Sequence, residues 1–112
     1  MTVSVNTNAT QTASIGTEHT LATITAAGVY SLMVDLVNMA DAATPDALEI
    51  REYMKPASGG TERLVTTWYI YGRQSEFMFL TPPRMSAISI KYTLKQTQGT
   101  GRNFDWSVQQ SV

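Results

Sequence analysis

The chain has 112 residues, no cysteine, a formal net charge of −1 and only 15% charged residues. This length fits one domain, and the missing cysteines exclude disulfides and thiolate metal sites. The charge balance lacks the basic footprint of a protein that binds nucleic acid or an anionic membrane. No apolar run approaches the roughly 20 residues of a membrane span, and no signal-peptide pattern is visible. The composition therefore favours other proteins as partners.

Residues 1–16 are polar, rich in Thr, Asn and Ser, and carry no charged side chain. Their β-branched residues favour an extended backbone. The pattern predicts an extended N-terminal arm outside a folded domain of residues 17–112. Two interpretations stay open: a frayed terminus, or an arm that becomes ordered on a partner. The second makes five residues candidates for partner binding: Val3, Val5, Thr7, Thr10 and Thr12.

From Glu18 onward, apolar residues recur with the period of two that is typical of strands. Segment 28–36 is apolar on both faces, since Val29, Met33 and Val37 alternate with its other apolar residues, and this predicts a strand covered on both sides. Predicted strands lie at 19–25, 28–36, 47–55, 63–72, 77–80, 87–95 and 103–108.

Turn signals separate these segments. Segment 56–61, "PASGGT", predicts a hairpin, because paired glycines supply positive φ angles. Pro82 and Pro83 end a strand, since neither can donate to a ladder. Segment 99–101, "GTG", predicts a second hairpin between the last two strands. Seven or eight strands with such spacing indicate an all-β antiparallel sandwich or small barrel.

The aromatic residues divide between the two faces of these strands. Four are predicted to face inward and to build the core, although an aromatic platform for sugars is an alternative: Trp68, Tyr92, Phe104 and Trp106. Three tyrosines are predicted to face outward, namely Tyr53, Tyr69 and Tyr71. Because tyrosine is enriched at protein interfaces, these three are further candidates for partner binding.

Residues for chemistry are sparse. His19 is the only histidine, which disfavours a zinc site and a Ser-His-Asp triad. The carboxylates Glu49, Glu52 and Glu76 are scattered, and "GTGRNF" at 99–104 leads into a strand where a phosphate-binding loop needs a helix. We therefore predict no enzyme activity and no catalytic, cofactor or metal site. A hydrolase of unknown type is the remaining catalytic alternative.

The order of several motifs resembles a known family. "GVYSLMVDL" is followed by "ALEIREYMK", "SGGTERLV", "TPP" and finally "LKQTQGTGRNFDWSV", over residues 28–108. This series resembles the capsid decoration proteins, also called cement or staple proteins, of short-tailed bacteriophages. Its most specific part is the closing motif at 94–108.

The resemblance implies a single jelly-roll domain that binds the outer surface of a capsid built from a phage major capsid protein. It implies a homodimer or a trimer, made in the bacterial cytoplasm and located on the virion exterior, with no catalytic residues. Residues 1–16 are not covered by the motifs. A carbohydrate-binding module is the alternative, because fold alone does not separate the two functions.

Overall fold

The computed structural model describes residues 2–111, and this part of the chain folds into nine β-strands without a helix. It therefore contains no helix that could span a membrane. The strands form two antiparallel sheets around one hydrophobic core. They are β1 (Val3–Thr12), β2 (Glu18–Ile24), β3 (Gly28–Asp35), β4 (Ala47–Met54), β5 (Arg63–Tyr71), β6 (Met78–Leu80), β7 (Arg84–Ser86), β8 (Ile90–Gln98) and β9 (Asn103–Ser111).

The strand order is that of a jelly roll. The five-stranded sheet has the order β1-β9-β3-β6, with β7 also paired to β3, and the four-stranded sheet has the order β2-β8-β4-β5. Strands β6 and β7 flank Pro82 and Pro83 and pair with opposite ends of β3, so they share one strand position. Most connections then cross between two sheets of four positions, as in a jelly roll. The prediction of an all-β antiparallel sandwich is confirmed.

Alternation along the strands builds the core largely as predicted. Tyr92 and Phe104 are fully buried, and Trp106 is 8% exposed. Trp68 is only half-buried, and its ring packs edge to face against Phe79 at a centroid distance of 5.6 Å. Strand β3 is buried on its inner side alone, because Val29 and Met33 on its outer side are half-buried and Val37 is 40% exposed. The prediction that β3 is covered on both sides is wrong.

The glycine-rich segment 99–101 is not a hairpin, so that prediction is also wrong. Strand β8 belongs to the four-stranded sheet and β9 to the five-stranded sheet, and the segment crosses between them. Gly99 has a φ of +93°, and a Cβ there would collide with the Asp46 carboxylate. Asp46 is buried and accepts hydrogen bonds from Thr100 N at 3.1 Å and Arg102 Nε at 2.8 Å. The segment therefore wraps around a buried carboxylate.

Residues 3–12 lie within the sandwich, whereas the sequence pattern placed the domain boundary at residue 17. Strand β1 forms an edge of the five-stranded sheet and pairs with β9 from Val3↔Ser111 to Thr12↔Asn103. A bulge interrupts the register between Val5 and Thr7. Main-chain hydrogen bonds hold this strand, while most of its side chains stay exposed. Side-chain patterning gives no signal for such pairing, which is why the sequence predicted an arm.

Candidate interaction surface

The outer side of the five-stranded sheet carries exposed apolar residues on β1, β3, β6 and β7, while β9 between β1 and β3 presents polar residues there. Residues that pair directly across antiparallel strands point to the same side of a sheet. Val29 on β3 lies opposite Met85 on β7 and Ser111 on β9, and Ser111 lies opposite Val3 on β1. Inner-side neighbours such as Tyr30 are buried, so these residues face outward. We name this side the methionine face and define its apolar residues as Val3, Val5, Val29, Met33, Met78, Leu80 and Met85.

Several residues of the methionine face are highly exposed. Met85 is 81% exposed, Val3 61%, Leu80 55%, Met78 53% and Val5 52%. Exposed apolar side chains that share one side of a folded domain make that side a candidate interaction site. Methionine suits such a surface because its flexible, polarisable side chain adapts to the shape of a partner. The arrangement can therefore bury apolar area against another protein.

Two recesses lie along the five-stranded sheet. The larger has a volume of about 460 Å³ and is lined by Asn8, Ala9, Thr10, Met33, Asp35, Met78, Asp105, Trp106 and Ser107. The smaller has a volume of about 290 Å³ and is lined by Val3, Val29, Tyr30, Ser31, Pro83, Gln109, Gln110 and Ser111. Both contain methionine-face residues and give the surface relief that a protruding partner side chain can fill.

The charges on this side are few and negative. Asp35 and Asp105 both line the larger recess. The Thr10 hydroxyl donates a hydrogen bond to Asp105, and the Val37 main-chain N donates one to Asp35 Oδ1 at 3.0 Å. The outward-facing strand residues of the described five-stranded sheet include no lysine or arginine. A partner surface with apolar side chains and a cationic group is therefore complementary to it.

The predicted partner-binding residues of β1 mostly lie on the methionine side. Val3 and Val5 belong to the face, and Thr10 lines its larger recess. Thr12 Oγ1 bonds to Asn103 Oδ1 at 2.8 Å at the end of the strand. Thr7 differs, because it pairs with the buried Val108 and points to the inner side, where it is half-buried.

The three predicted tyrosines lie on the opposite side of the sandwich. Tyr53 is half-buried, donates a 2.6 Å hydrogen bond to Glu18 Oε2 and lies under the Lys91 ammonium, 4.4 Å from the ring centroid. Tyr69 is 74% exposed and Tyr71 is 65% exposed on the edge strand β5. The structure therefore does not bring the tyrosines together with the β1 residues.

The sequence pattern missed Met33, Met78, Leu80 and Met85 as interaction residues. Their apolar character and strand alternation were visible, but the same alternation also fits a covered strand. The number of layers in the fold distinguishes a covered strand from an exposed one. A two-sheet sandwich has no third layer to cover the outer side of β3. An apolar outer side on such a strand therefore indicates an external partner.

A buried ionisable cluster lies between the sheets. The Glu52 carboxylate is fully buried and forms a 2.8 Å ion pair with Arg84. Burial raises the pKa of Glu52, and the charge and hydrogen bond of Arg84 oppose this rise. Glu52 Oε2, the Tyr92 hydroxyl and Ser86 Oγ are buried without a hydrogen-bond partner. This cluster is closed off from the methionine face and ties β7 to β4.

Other titratable residues do not form a ligand set. His19 Nε2 accepts a hydrogen bond from Ser14 N at 3.2 Å. Among residues 2–111 no group of three or more His, Asp or Glu side chains is placed to hold a metal ion.

Comparison with protein-family profiles, with curated proteins and with solved structures finds no match for this chain.

Proposed function

We propose that this protein is a structural protein of a tailed-phage virion that binds the capsid exterior and clamps neighbouring major capsid protein subunits. The methionine face is the observation that carries the proposal, because it offers exposed apolar side chains without a covering layer. The motif series over 28–108 supports it by resemblance to capsid decoration proteins. The jelly-roll strand order agrees with the fold which that resemblance implies.

The mechanism needs contact area and geometry rather than chemistry. Each apolar side chain that a capsid surface covers contributes about 25 cal/mol per Å² of buried area. Contact with two neighbouring subunits raises the effective concentration of the second contact, so a clamp need not bind one subunit tightly. Such a protein binds an assembled shell more strongly than it binds separate subunits.

The test measures binding to shells of the phage that encodes the protein. Wild-type protein is expected to bind assembled shells in preference to isolated capsid subunits. The double variant Leu80→Glu/Met85→Glu places two charges on the methionine face, and we expect at least about 30-fold weaker shell binding. The matched control, Tyr69→Glu/Tyr71→Glu, adds the same charges on the opposite side and is expected to bind normally.

Two results would contradict the proposal. Equal affinity of the wild type for shells and for isolated subunits would exclude the clamp. Normal binding by Leu80→Glu/Met85→Glu, with loss of binding by the tyrosine variant, would move the docking surface to the four-stranded sheet. Circular dichroism of both variants checks that each retains the strand content of the wild type.

A carbohydrate-binding module is the second candidate, favoured by the polar groups of the larger recess. Asn8, Thr10 and Asp105 offer hydrogen-bonding groups there. Trp106 is the aromatic residue that lines this recess, but it is only 8% exposed, which leaves little ring surface for a sugar to stack on. Because Trp106 lines the recess, a titration of tryptophan fluorescence with oligosaccharides decides the matter: a saturable change would favour sugar binding over the capsid proposal.

A further inference from the structure

One edge of the five-stranded sheet has free main-chain groups. Ala13 N donates to Arg102 O at 2.9 Å, in the same register as the β1–β9 pairs that precede it. In an antiparallel ladder, hydrogen-bonded and non-hydrogen-bonded pairs alternate. The N–H groups of Asn8, Thr10 and Thr12 therefore point away from β9. They form an open row on the outer edge of β1.

The other edge strands of the two sheets have features that hinder pairing with a strand of another molecule. Strands β6 and β7 have three residues each and are separated by two prolines. Strand β2 begins with Glu18 and has a bulge after Thr20. Strand β5 begins at Arg63, and Arg73 follows its end, so two antiparallel copies would bring these like charges together. By contrast β1 has ten residues without charge or proline. Its bulge lies between Val5 and Thr7, so the register from Thr7 to Thr12 is unbroken, and this part of the edge is open to another strand.

We propose that β1 pairs antiparallel with β1 of a second copy of this chain, forming a two-fold dimer with one continuous sheet. An antiparallel pair of identical strands is self-complementary, since each residue makes the same contacts on both copies. Strand addition draws on main-chain hydrogen bonds and needs no particular side chains. The uncharged Thr, Asn and Val residues of β1 add no repulsion between the copies.

The dimer has a consequence for the clamp, and this consequence alone rests on the proposed function. The two-fold axis of such a pair is perpendicular to the sheet, so both methionine faces lie on the same side. One dimer therefore presents two identical docking surfaces at a spacing set by a continuous sheet. Two neighbouring capsid subunits related by a two-fold axis match that arrangement.

The first experiment measures mass by sedimentation equilibrium over a range of protein concentrations. Wild-type protein is expected to be dimeric. Asn8→Pro removes one outward N–H from each copy without breaking the β9 ladder, because Pro is tolerated on an open strand edge. We expect the dimer dissociation constant to rise by roughly tenfold or more, since the symmetric pair loses two hydrogen bonds. Asn8→Ala keeps the N–H and is expected to remain dimeric.

The second experiment exploits the absence of cysteine from the chain. Single variants Thr7→Cys, Asn8→Cys, Ala9→Cys and Thr10→Cys place one thiol each near the middle of β1. Oxidation is expected to give a covalent dimer for at least one of them, because a residue near the two-fold axis lies opposite its own copy. Met85→Cys, on β7 at the opposite edge of the sheet, is expected to remain uncrosslinked under the same conditions.

Several outcomes would overturn the dimer. Wild-type protein that stays monomeric up to its solubility limit would do so, as would Asn8→Pro protein with an unchanged dimer constant and normal tryptophan fluorescence. Dissociation by Tyr69→Lys/Tyr71→Lys, with no effect of Asn8→Pro, would assign the interface to β5. The mass measurement uses no capsid, so failure of the dimer leaves the shell-binding test standing, and failure of shell binding leaves the dimer test standing.

Discussion

The two outer faces of the sandwich differ in what their side chains contact. On the four-stranded sheet, Arg51 pairs with Glu18 at 3.4 Å and with Glu49 at 3.1 Å. Glu18 also accepts 2.6 Å hydrogen bonds from the hydroxyls of Thr93 and Tyr53. This network links three neighbouring strands, β2, β8 and β4, through contacts within the molecule. The methionine face has no comparable network, and its apolar side chains are open to a partner.

The difference separates side chains that serve the fold from those that serve an interface. A polar network on an outer face needs no further cover, because its donors and acceptors reach each other or water. Exposed methionine and leucine gain nothing from water and contribute free energy only when another surface covers them. Substitutions should therefore reduce the free energy of unfolding on the four-stranded face and leave it nearly unchanged on the methionine face.

The largest expected change in the free energy of unfolding comes from strand β9, whose inner and outer sides can be compared directly. Phe104 points into the shared core and is fully buried, so Phe104→Ala should lower the free energy of unfolding by about 3–5 kcal/mol. Ser107 points outward from the same strand beside Met33, and Ser107→Ala should change it by no more than about 0.5 kcal/mol. Urea unfolding followed by tryptophan fluorescence measures both values.

The two β9 variants also test the assignment of its inner and outer sides. A stable Phe104→Ala protein that had only lost binding would mean that the ring belongs to a ligand site. A large loss of stability in Ser107→Ala would mean that the methionine face is packed against something within the molecule. Either result would remove the distinction between a core side and a docking side of this strand.

An intermediate effect is expected from the network on the four-stranded face. Partial burial raises the pKa of Glu18, but hydrogen bonds from Thr93 and Tyr53 and the charges of Arg51 and Lys91 outweigh it, so the pKa is lowered. A carboxyl group whose pKa is lowered in the folded state stabilises the fold at a pH above the ordinary glutamate pKa. This contribution is lost as the pH falls through the pKa of the folded state. Glu18→Gln should therefore cost about 1 kcal/mol at neutral pH.

The pH dependence distinguishes this network from a packing effect. The difference in unfolding free energy between wild type and Glu18→Gln should shrink as the pH is lowered below about 4, and a constant difference would contradict the ionic origin. Glu52 is the internal control, because its pKa is raised by burial. Because ionisation of Glu52 disfavours the fold, the wild type should lose stability as the pH rises above the ordinary glutamate pKa. The Glu52→Gln variant should not show this loss.

Much of the core could be predicted from the sequence, because side-chain alternation reports directly which residues face inward. Tyr92 and Phe104 follow that rule. The path from β8 to β9 could not be predicted, since a glycine turn has the same sequence whether it joins strands of one sheet or crosses between sheets. The buried Asp46 that accepts a hydrogen bond from Thr100 N and lies close against Gly99 comes from a distant loop, and local sequence does not reveal that contact.

The interaction surface was predictable only in part. Val3, Val5 and Thr10 were expected to bind a partner, and the structure places the two valines in the methionine face and Thr10 in its larger recess; that they bind a partner stays a prediction. The pairing of β1 with β9 could not be predicted, because main-chain groups form the ladder and the side-chain bonds beside it, such as Thr10 to Asp105, join residues far apart in the sequence. Met85 could not be identified from its neighbours, because whether an apolar strand residue is covered depends on the number of layers in the whole fold.

The smallest expected effect is the most direct test of the comparison between the two faces. Met85 is 81% exposed, so Met85→Ser removes little buried area and should change the free energy of unfolding by less than about 0.5 kcal/mol. Urea unfolding at low protein concentration measures the monomer. A loss above about 1 kcal/mol would mean that the side chain is covered in solution. The methionine face would then be packed within the folded molecule, and the apolar residues on the outer side of β3 would no longer indicate an external partner.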